Sequence, residues 1–248
     1  MNKIIIAIVG LSVGGILPAA AADLPPPPMA YKAAPAAVFN WTGFYIGGNG
    51  GYSWGTANTT VTGLTPAGPP VSIGVRPVGW LGGAQVGYNW QGIGSPWLVG
   101  LETDFDGFGQ SGNGTCTAPT CVPNATVHAD PWFGTFRGRV GWTPAPTWLL
   151  YATGGLAYAE TQFRLNQLGV VSYGFDNWRL GWTVGGGVEY AFLGNWSVKA
   201  EYLYLDYGTS NTSLATSGPL GSNPLGPIGI STRWTDNVFR VGINYRFY

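Results

Sequence analysis

The chain closes on Val238-Phe239-Arg240-Val241-Gly242-Ile243-Asn244-Tyr245-Arg246-Phe247-Tyr248. From Phe239 onward, Phe239, Val241, Ile243, Tyr245 and Phe247 alternate with Arg240, Gly242, Asn244 and Arg246. A period of two marks a strand with one apolar and one wet face. Such a strand serves equally in a soluble sandwich or in a membrane barrel, whose strands need about 9 to 11 residues to cross. The remainder of the chain decides between them.

Residues 1–22 have the three parts of a secretory signal: Lys3, an apolar run from Ile4 to Leu17, and Ala20-Ala21-Ala22 before Asp23. The run is shorter than the roughly 20 apolar residues of a lasting helical anchor. Residues 23–40 form an Ala/Pro-rich lead-in containing Leu24-Pro25-Pro26-Pro27-Pro28, a composition of extended, unpacked chain. Only 9% of the residues are charged, against a usual value of about 25%, while 15% are aromatic and 41 are Gly. A soluble domain is poorly solvated by so few charges. With a net charge of +0, no nucleic-acid partner is expected.

Working back from the last strand, the same alternation recurs until the chain has shown it eight times in residues 41–248. Its outward positions run through Phe44 to Trp54, Trp80 to Trp90, Trp97 to Phe105, Trp132 to Trp142, Trp148 to Tyr158, Trp178 to Tyr190, Trp196 to Tyr204 and Phe239 to Phe247. The connections, 55–79, 91–96, 106–131, 143–147, 159–177, 191–195 and 205–238, are long then short in strict alternation. That is the asymmetry of an outer-membrane barrel, with tight turns on one side and long loops on the other.

Aromatics stand at both ends of these strands. Phe44, Trp90, Trp97, Trp142, Trp148, Tyr190, Trp196 and Phe247 share one end, and Trp54, Trp80, Phe105, Trp132, Tyr158, Trp178, Tyr204 and Phe239 the other. Two aromatic girdles fit the two membrane interfaces, where a ring keeps its body in hydrocarbon and its polar edge among headgroups. The opposite phase carries Glu102, Asp104, Arg137, Arg139, Arg179, Glu189, Lys199, Glu201, Arg240 and Arg246. Within the strands as bounded, no charge falls on the outward phase, where Arg or Lys costs about 2 to 4 kcal/mol at the bilayer midplane. The inward charges are expected to pair, with Asp106 continuing the acidic phase at the rim. In the closing strand, Arg240, Gly242, Tyr245 and Phe247 follow a polar-x-Gly-x-x-aromatic-x-aromatic pattern. It resembles the C-terminal signal read by the outer-membrane assembly machinery. Phe247 is expected to face lipid and Tyr248 to overhang.

Asn40-Trp41-Thr42-Gly43-Phe44-Tyr45-Ile46-Gly47-Gly48, Leu150-Tyr151-Ala152-Thr153-Gly154-Gly155-Leu156-Ala157-Tyr158 and Val184-Gly185-Gly186-Gly187-Val188-Glu189-Tyr190, with the closing strand, resemble a known family. It is the small outer-membrane immunogenic proteins of alphaproteobacteria, related in architecture to OmpA-like and OmpX-like barrels. The resemblance implies an abundant envelope protein and surface antigen; some relatives are described as porins or haem binders. It brings no binding motif that can be placed residue by residue.

Three local features carry candidate chemistry. Gly107-Phe108-Gly109-Gln110-Ser111-Gly112 has the glycine spacing of a dinucleotide loop, but no helix follows it, so it reads as a loop tip. His128, two residues before Asp130, is the single histidine; catalysis on lipid A or axial ligation of haem are weighed against a solvated loop residue, which is preferred. Cys116 and Cys121 are expected to form one small disulfide, without a metal role.

The expected fold is therefore all-β, an eight-stranded antiparallel up-and-down transmembrane β-barrel in the outer membrane, with both termini periplasmic and the long loops extracellular. The expected role is structural and interactive, without enzymatic activity or cofactor, the interior being closed by ion pairs. Eight strands leave room for little more than side chains. A narrow porin-like channel, a haem or host-ligand receptor and a lipid A-modifying enzyme are the alternatives. The expected partners are outer-membrane lipid and lipopolysaccharide, the barrel assembly machinery during insertion, and an extracellular ligand or host surface.

Overall fold

The computed structural model describes residues 39–62, 69–116, 125–129, 131–167, 171–214 and 228–247. The signal at 1–22, most of the lead-in, Cys121, Asp130 and Tyr248 lie outside the described residues. Among the described residues ten strands follow in chain order: β1 (Gly43–Thr62), β2 (Val71–Val75), β3 (Val78–Gln91), β4 (Trp97–Cys116), β5 (Ala125–Ala129), β6 (Pro131–Ala145), β7 (Trp148–Gln167), β8 (Val171–Leu193), β9 (Trp196–Leu214) and β10 (Ile228–Arg246). Eight of them close a ring of antiparallel pairs, β1-β3-β4-β6-β7-β8-β9-β10, with β10 returning to β1. β2 pairs with β1 and β4 beyond the ring's long-hairpin end, and β5 pairs antiparallel with β4 there.

The register fixes the slant of the strands. From Tyr45 the rungs lead through Gly87, Glu102, Arg137, Gly155, Thr183, Leu205 and Asp236 back to β1 at Gly55, ten residues along. A ring that returns displaced is sheared, and in a sheared barrel the strands tilt by about 35 to 45° to the axis. Closure also leaves no edge in the ring, so each spanning backbone group finds a partner without water.

The short connections are tight, as their residues demand. Gly94 at φ 71° and Gly194 at φ 50° occupy the left-handed region in the turns before β4 and β9, where a Cβ is strained. The long connections differ from the expectation. Much of 55–79, 106–131, 159–177 and 205–238 is strand: β1 continues to Thr62, β4 to Cys116, β7 to Gln167 and β9 to Leu214. The glycine-spaced stretch Gly107 to Gly112 is likewise not a loop tip but part of β4, in register with β3 and then β5. Past the aromatic ring the outward face needs no apolar side chains, so the period-two hydropathy signal stops while backbone pairing goes on. Thr56, Thr59, Thr60 and Thr62 supply β-branched residues that suit such a ladder.

Outward residues such as Phe44, Trp80, Trp90, Leu101, Trp178, Leu180 and Phe247 are exposed, while inward neighbours such as Tyr45, Leu81, Asn89, Glu102 and Arg246 are buried. Beyond the spanning part, Tyr207 and Gly208 of β9 face Trp234 of β10 as a bulge, with Gly208 at φ 67°. One extra residue reverses the alternation of β9 above that point.

The interior is layered. Toward the long-hairpin end Leu81, Phe133, Ala157, Leu203, Leu205, Trp234 and Val238 form an apolar cluster. Toward the turn end Trp41, Leu98, Leu149, Tyr151 and Ala191 form a second, against which Phe39 packs. The last residues before β1 therefore belong to the barrel's own packing: Trp41 Nε1 donates to Pro146 O at 3.1 Å and its N–H to Gln91 Oε1 at 3.1 Å.

Candidate functional site in the barrel lumen

Between the two apolar clusters, inward positions of five ring strands bring together Glu102, Asp104 and Asp106 of β4, Arg137 and Arg139 of β6, Glu189 of β8, Lys199 and Glu201 of β9, and Arg240 of β10. The elements place them there through parity alone, since every second residue of a ring strand faces the axis. Their partners are set by the shear, which brings residues distant in sequence to one height.

Arg240 is the most connected. Its Nη1 donates to Asp106 Oδ2 at 2.6 Å, its Nη2 to Asp104 Oδ2 at 2.7 Å, and its Nε to Glu201 Oε2 at 2.8 Å. Arg137 donates through Nη1 to Glu201 Oε1 at 2.9 Å and through Nη2 to Asp104 Oδ2 at 2.8 Å and to Glu102 Oε1. Lys199 Nζ lies 2.9 and 3.0 Å from the two oxygens of Glu102, and Tyr45 O–H donates to Glu102 Oε2 at 2.6 Å. Arg139 donates to Glu189 Oε2 at 2.9 Å and stacks over the Tyr151 ring at 4.2 Å. Ser197 O–H and Asn244 Nδ2 satisfy the other oxygen of Glu189 at 2.6 and 2.9 Å. The side chains of Arg137 and Arg240 are 0% exposed. At that burial an uncompensated charge costs several kcal/mol, so the shared hydrogen bonds are the condition for these groups to be ionised at all.

Several placements depart from the sequence-based expectation. Asp106 is not at a rim: it is buried in the network and held by Arg240. Arg246 is directed to the turn end, donating to Asn40 O and lying 3.9 Å from the Phe39 ring centre and 5.3 Å from that of Trp41. Arg179 has no carboxylate partner among the described residues; its guanidinium lies 5.9 Å from the Trp234 ring centre, with Nε and Nη1 buried and without an acceptor. Sequence reasoning missed Asp236, which follows the same inward parity as Arg240 but precedes the apolar run. It accepts from Gln110 Nε2 at 2.8 Å, and Gln110 also donates to Ser53 Oγ at 2.6 Å. Asp236 lies beyond the row formed by Trp54, Asn237 and Tyr204, outside the spanning part of β10 from Phe239 to Phe247. Burial raises its carboxyl to about 7, against the weaker lowering pull of Gln110 and the Asn237 N–H.

Cys116 ends β4 opposite Ile73, and His128 lies in β5 opposite Ser111. The chemistry available in the lumen is electrostatic cross-bracing by fixed charges. Arg, Lys and carboxylate held in mutual ion pairs offer neither an activated nucleophile nor an open coordination position.

Residues 29–247 match the family model for the outer membrane protein beta-barrel domain. The chain is 36% identical over 235 residues to the 31 kDa outer-membrane immunogenic protein of Brucella melitensis, covering 89% of each chain. It is 29% identical to the 25 kDa outer-membrane immunogenic protein of the same species, covering 91% of this chain and 87% of that one. The 22 kDa outer membrane protein of Rhizobium leguminosarum bv. viciae is 28% identical, over 84% of this chain and 79% of the relative.

Proposed function

The chain belongs to the outer membrane protein beta-barrel family, and we propose that it is a non-enzymatic surface scaffold that braces the outer membrane, closes its own lumen, and presents its long hairpins to the outside. The observation that carries this reading is the cross-braced network of buried charges running from β4 to β10 between two apolar clusters. In an eight-stranded ring of this kind, side chains occupy the space a channel would need. The relatives named as immunogenic proteins of the outer membrane support a surface role.

The test is electrical. Purified barrel reconstituted in planar bilayers is expected to give no ion-selective steps, and clear steps would overturn the closed-lumen reading in favour of a narrow channel. Arg240→Ala serves as the comparison, since loss of its three charged hydrogen bonds is the change most able to open a path. His128→Ala is expected to leave the lipid A composition of the cells unchanged.

A further inference from the structure

The outward face of β1, β10 and β9 does not end at the aromatic girdle. On β1 the lipid-facing phase of Phe44, Ile46 and Trp54 continues as Thr56, Asn58, Thr60 and Thr62. On β10 the phase of Phe239 continues as Asn237, Thr235, Arg233, Ser231 and Gly229, because the β1–β10 register runs unbroken from Tyr45 to Thr62. On β9 the bulge at Tyr207 and Gly208 shifts the parity, so Thr209, Asn211 and Ser213 join the same face opposite Arg233, Ser231 and Gly229. The character of the surface changes abruptly at the girdle, from Trp, Phe and Tyr to hydroxyls and amides.

A groove of about 270 Å³ opens here, lined by Thr60, Thr62, Asn211, Ser213, Gly229 and Ser231 of this phase, with Thr212 and Ile230 of the opposite phase beside them. Across it Thr62 Oγ1 donates to Gly229 O at 3.3 Å. Below the groove stands Arg233, its side chain 61% exposed, with Nη2 paired to Asp206 at 3.0 Å.

Height selects the occupant. Trp54, Asn237 and Tyr204 are opposite one another and mark the girdle on these strands. Ser231 lies six residues beyond Asn237, which at ~3.3 Å per residue and a tilt of ~45° is roughly 14 Å further from the hydrocarbon. A phospholipid headgroup layer extends only about 5 to 8 Å. Arg233, four residues beyond Asn237, is about 9 Å out on the same basis. The face is continuous with the lipid-facing surface, so its neighbours in the membrane plane are lipids, and a lipid that reaches the groove must carry sugars.

We propose that this face is a docking site for the phosphorylated oligosaccharide of the outer-leaflet glycolipid, lipopolysaccharide, with Arg233 meeting an anionic group on the inner sugars and the Thr60, Asn211 and Ser231 side chains bonding sugar hydroxyls above it. Uncharged hydroxyl and amide groups exchange hydrogen bonds with a polyol without the desolvation cost of a buried charge. A guanidinium supplies the directional phosphate contact. The proposal rests on the long-hairpin end facing outward, and names the lipid that the scaffold holds.

The test titrates detergent-purified barrel with lipopolysaccharide bearing its core oligosaccharide and, separately, with lipid A alone. Thr60→Ala/Asn211→Ala/Ser231→Ala is expected to weaken the core-bearing glycolipid at least tenfold and leave lipid A unchanged; Arg233→Gln is expected to weaken the core-bearing form without changing the heat-dependent gel shift that reports a folded barrel. Equal affinity of the triple variant and the parent for the core-bearing glycolipid would overturn the proposal, as would equal binding of both ligands by the parent. Conductance does not enter this measurement, so its outcome is separate from that of the closed-lumen reading.

Discussion

Arg240 touches Asp104, Asp106 and Glu201 at once, so its removal leaves the buried Asp106 without a cation among the described residues and takes one of the counter-charges from Asp104 and Glu201, which keep Arg137. Arg240→Ala is expected to destabilise the barrel by about 3 to 5 kcal/mol in detergent unfolding experiments. Arg240→Met/Glu201→Gln, which removes a charge of each sign, is expected to cost less than the sum of the two single changes, a non-additivity read from a double-mutant cycle. Asp236 behaves differently because it has a hydrogen-bonding amide but no cation in contact among the described residues. Its folded carboxyl, held at about 7, lies above the unfolded value of about 3.9, so the folded state binds the extra proton between those limits. Stability is therefore greatest below about pH 4 as far as this group is concerned, and falls as pH rises toward 7. Asp236→Asn is expected to flatten that slope when unfolding is measured from pH 4 to 8. At this scale the sequence made the inward charges legible by parity, since Glu102, Arg137, Glu189 and Arg240 all oppose an apolar phase. It did not reveal who pairs with whom: the neighbours of Arg240 are 39, 134 and 136 residues away in the chain, and the shear alone brings them to one height.

Among the elements, β10 closes the ring, and its end is anchored by Phe247 N–H donating to Phe44 O at 2.8 Å. Phe247 is exposed on the outer face and lies 5.2 Å from the Tyr245 ring. Phe247→Ala is expected to slow outer-membrane assembly in cells while deletion of Tyr248 leaves it near the parental level; the reverse result would move the register of β10 by one. The bulge of β9 offers a second check. Gly208 at φ 67° meets nothing within 4 Å of a built Cβ, so Gly208→Val is strained by its backbone alone, by about 1 to 2 kcal/mol. The spanning parts of these strands were legible because hydrocarbon demands an apolar outward face. Their extensions were not, since in water the outward face of β1 beyond Trp54 can be Thr and Asn, the composition of a loop.

For the whole molecule, the closed ring and the alternating connection lengths predict a fixed orientation. A short epitope inserted between residues 63 and 68 is expected to be stained on intact cells, whereas the same epitope inserted at Gly94 is expected to be stained only after the membrane is opened. The sequence by itself determined the all-β class, the eight spanning strands and the face each spanning residue takes, because a bilayer enforces period-two hydropathy and aromatic interfaces on every strand that crosses it. Tertiary structure alone decided the rest: the ion-pair partners of Arg240, the burial of Asp106, the packing of Trp41 at the turn end, the placing of Arg179 over Trp234 with no carboxylate partner among the described residues, and the groove beyond the girdle. Those depend on the ten-residue shear from Tyr45 round to Gly55 and on one bulge opposite Trp234. Both are offsets between strands distant in sequence, and the alternation along a single strand is the same whatever those offsets are.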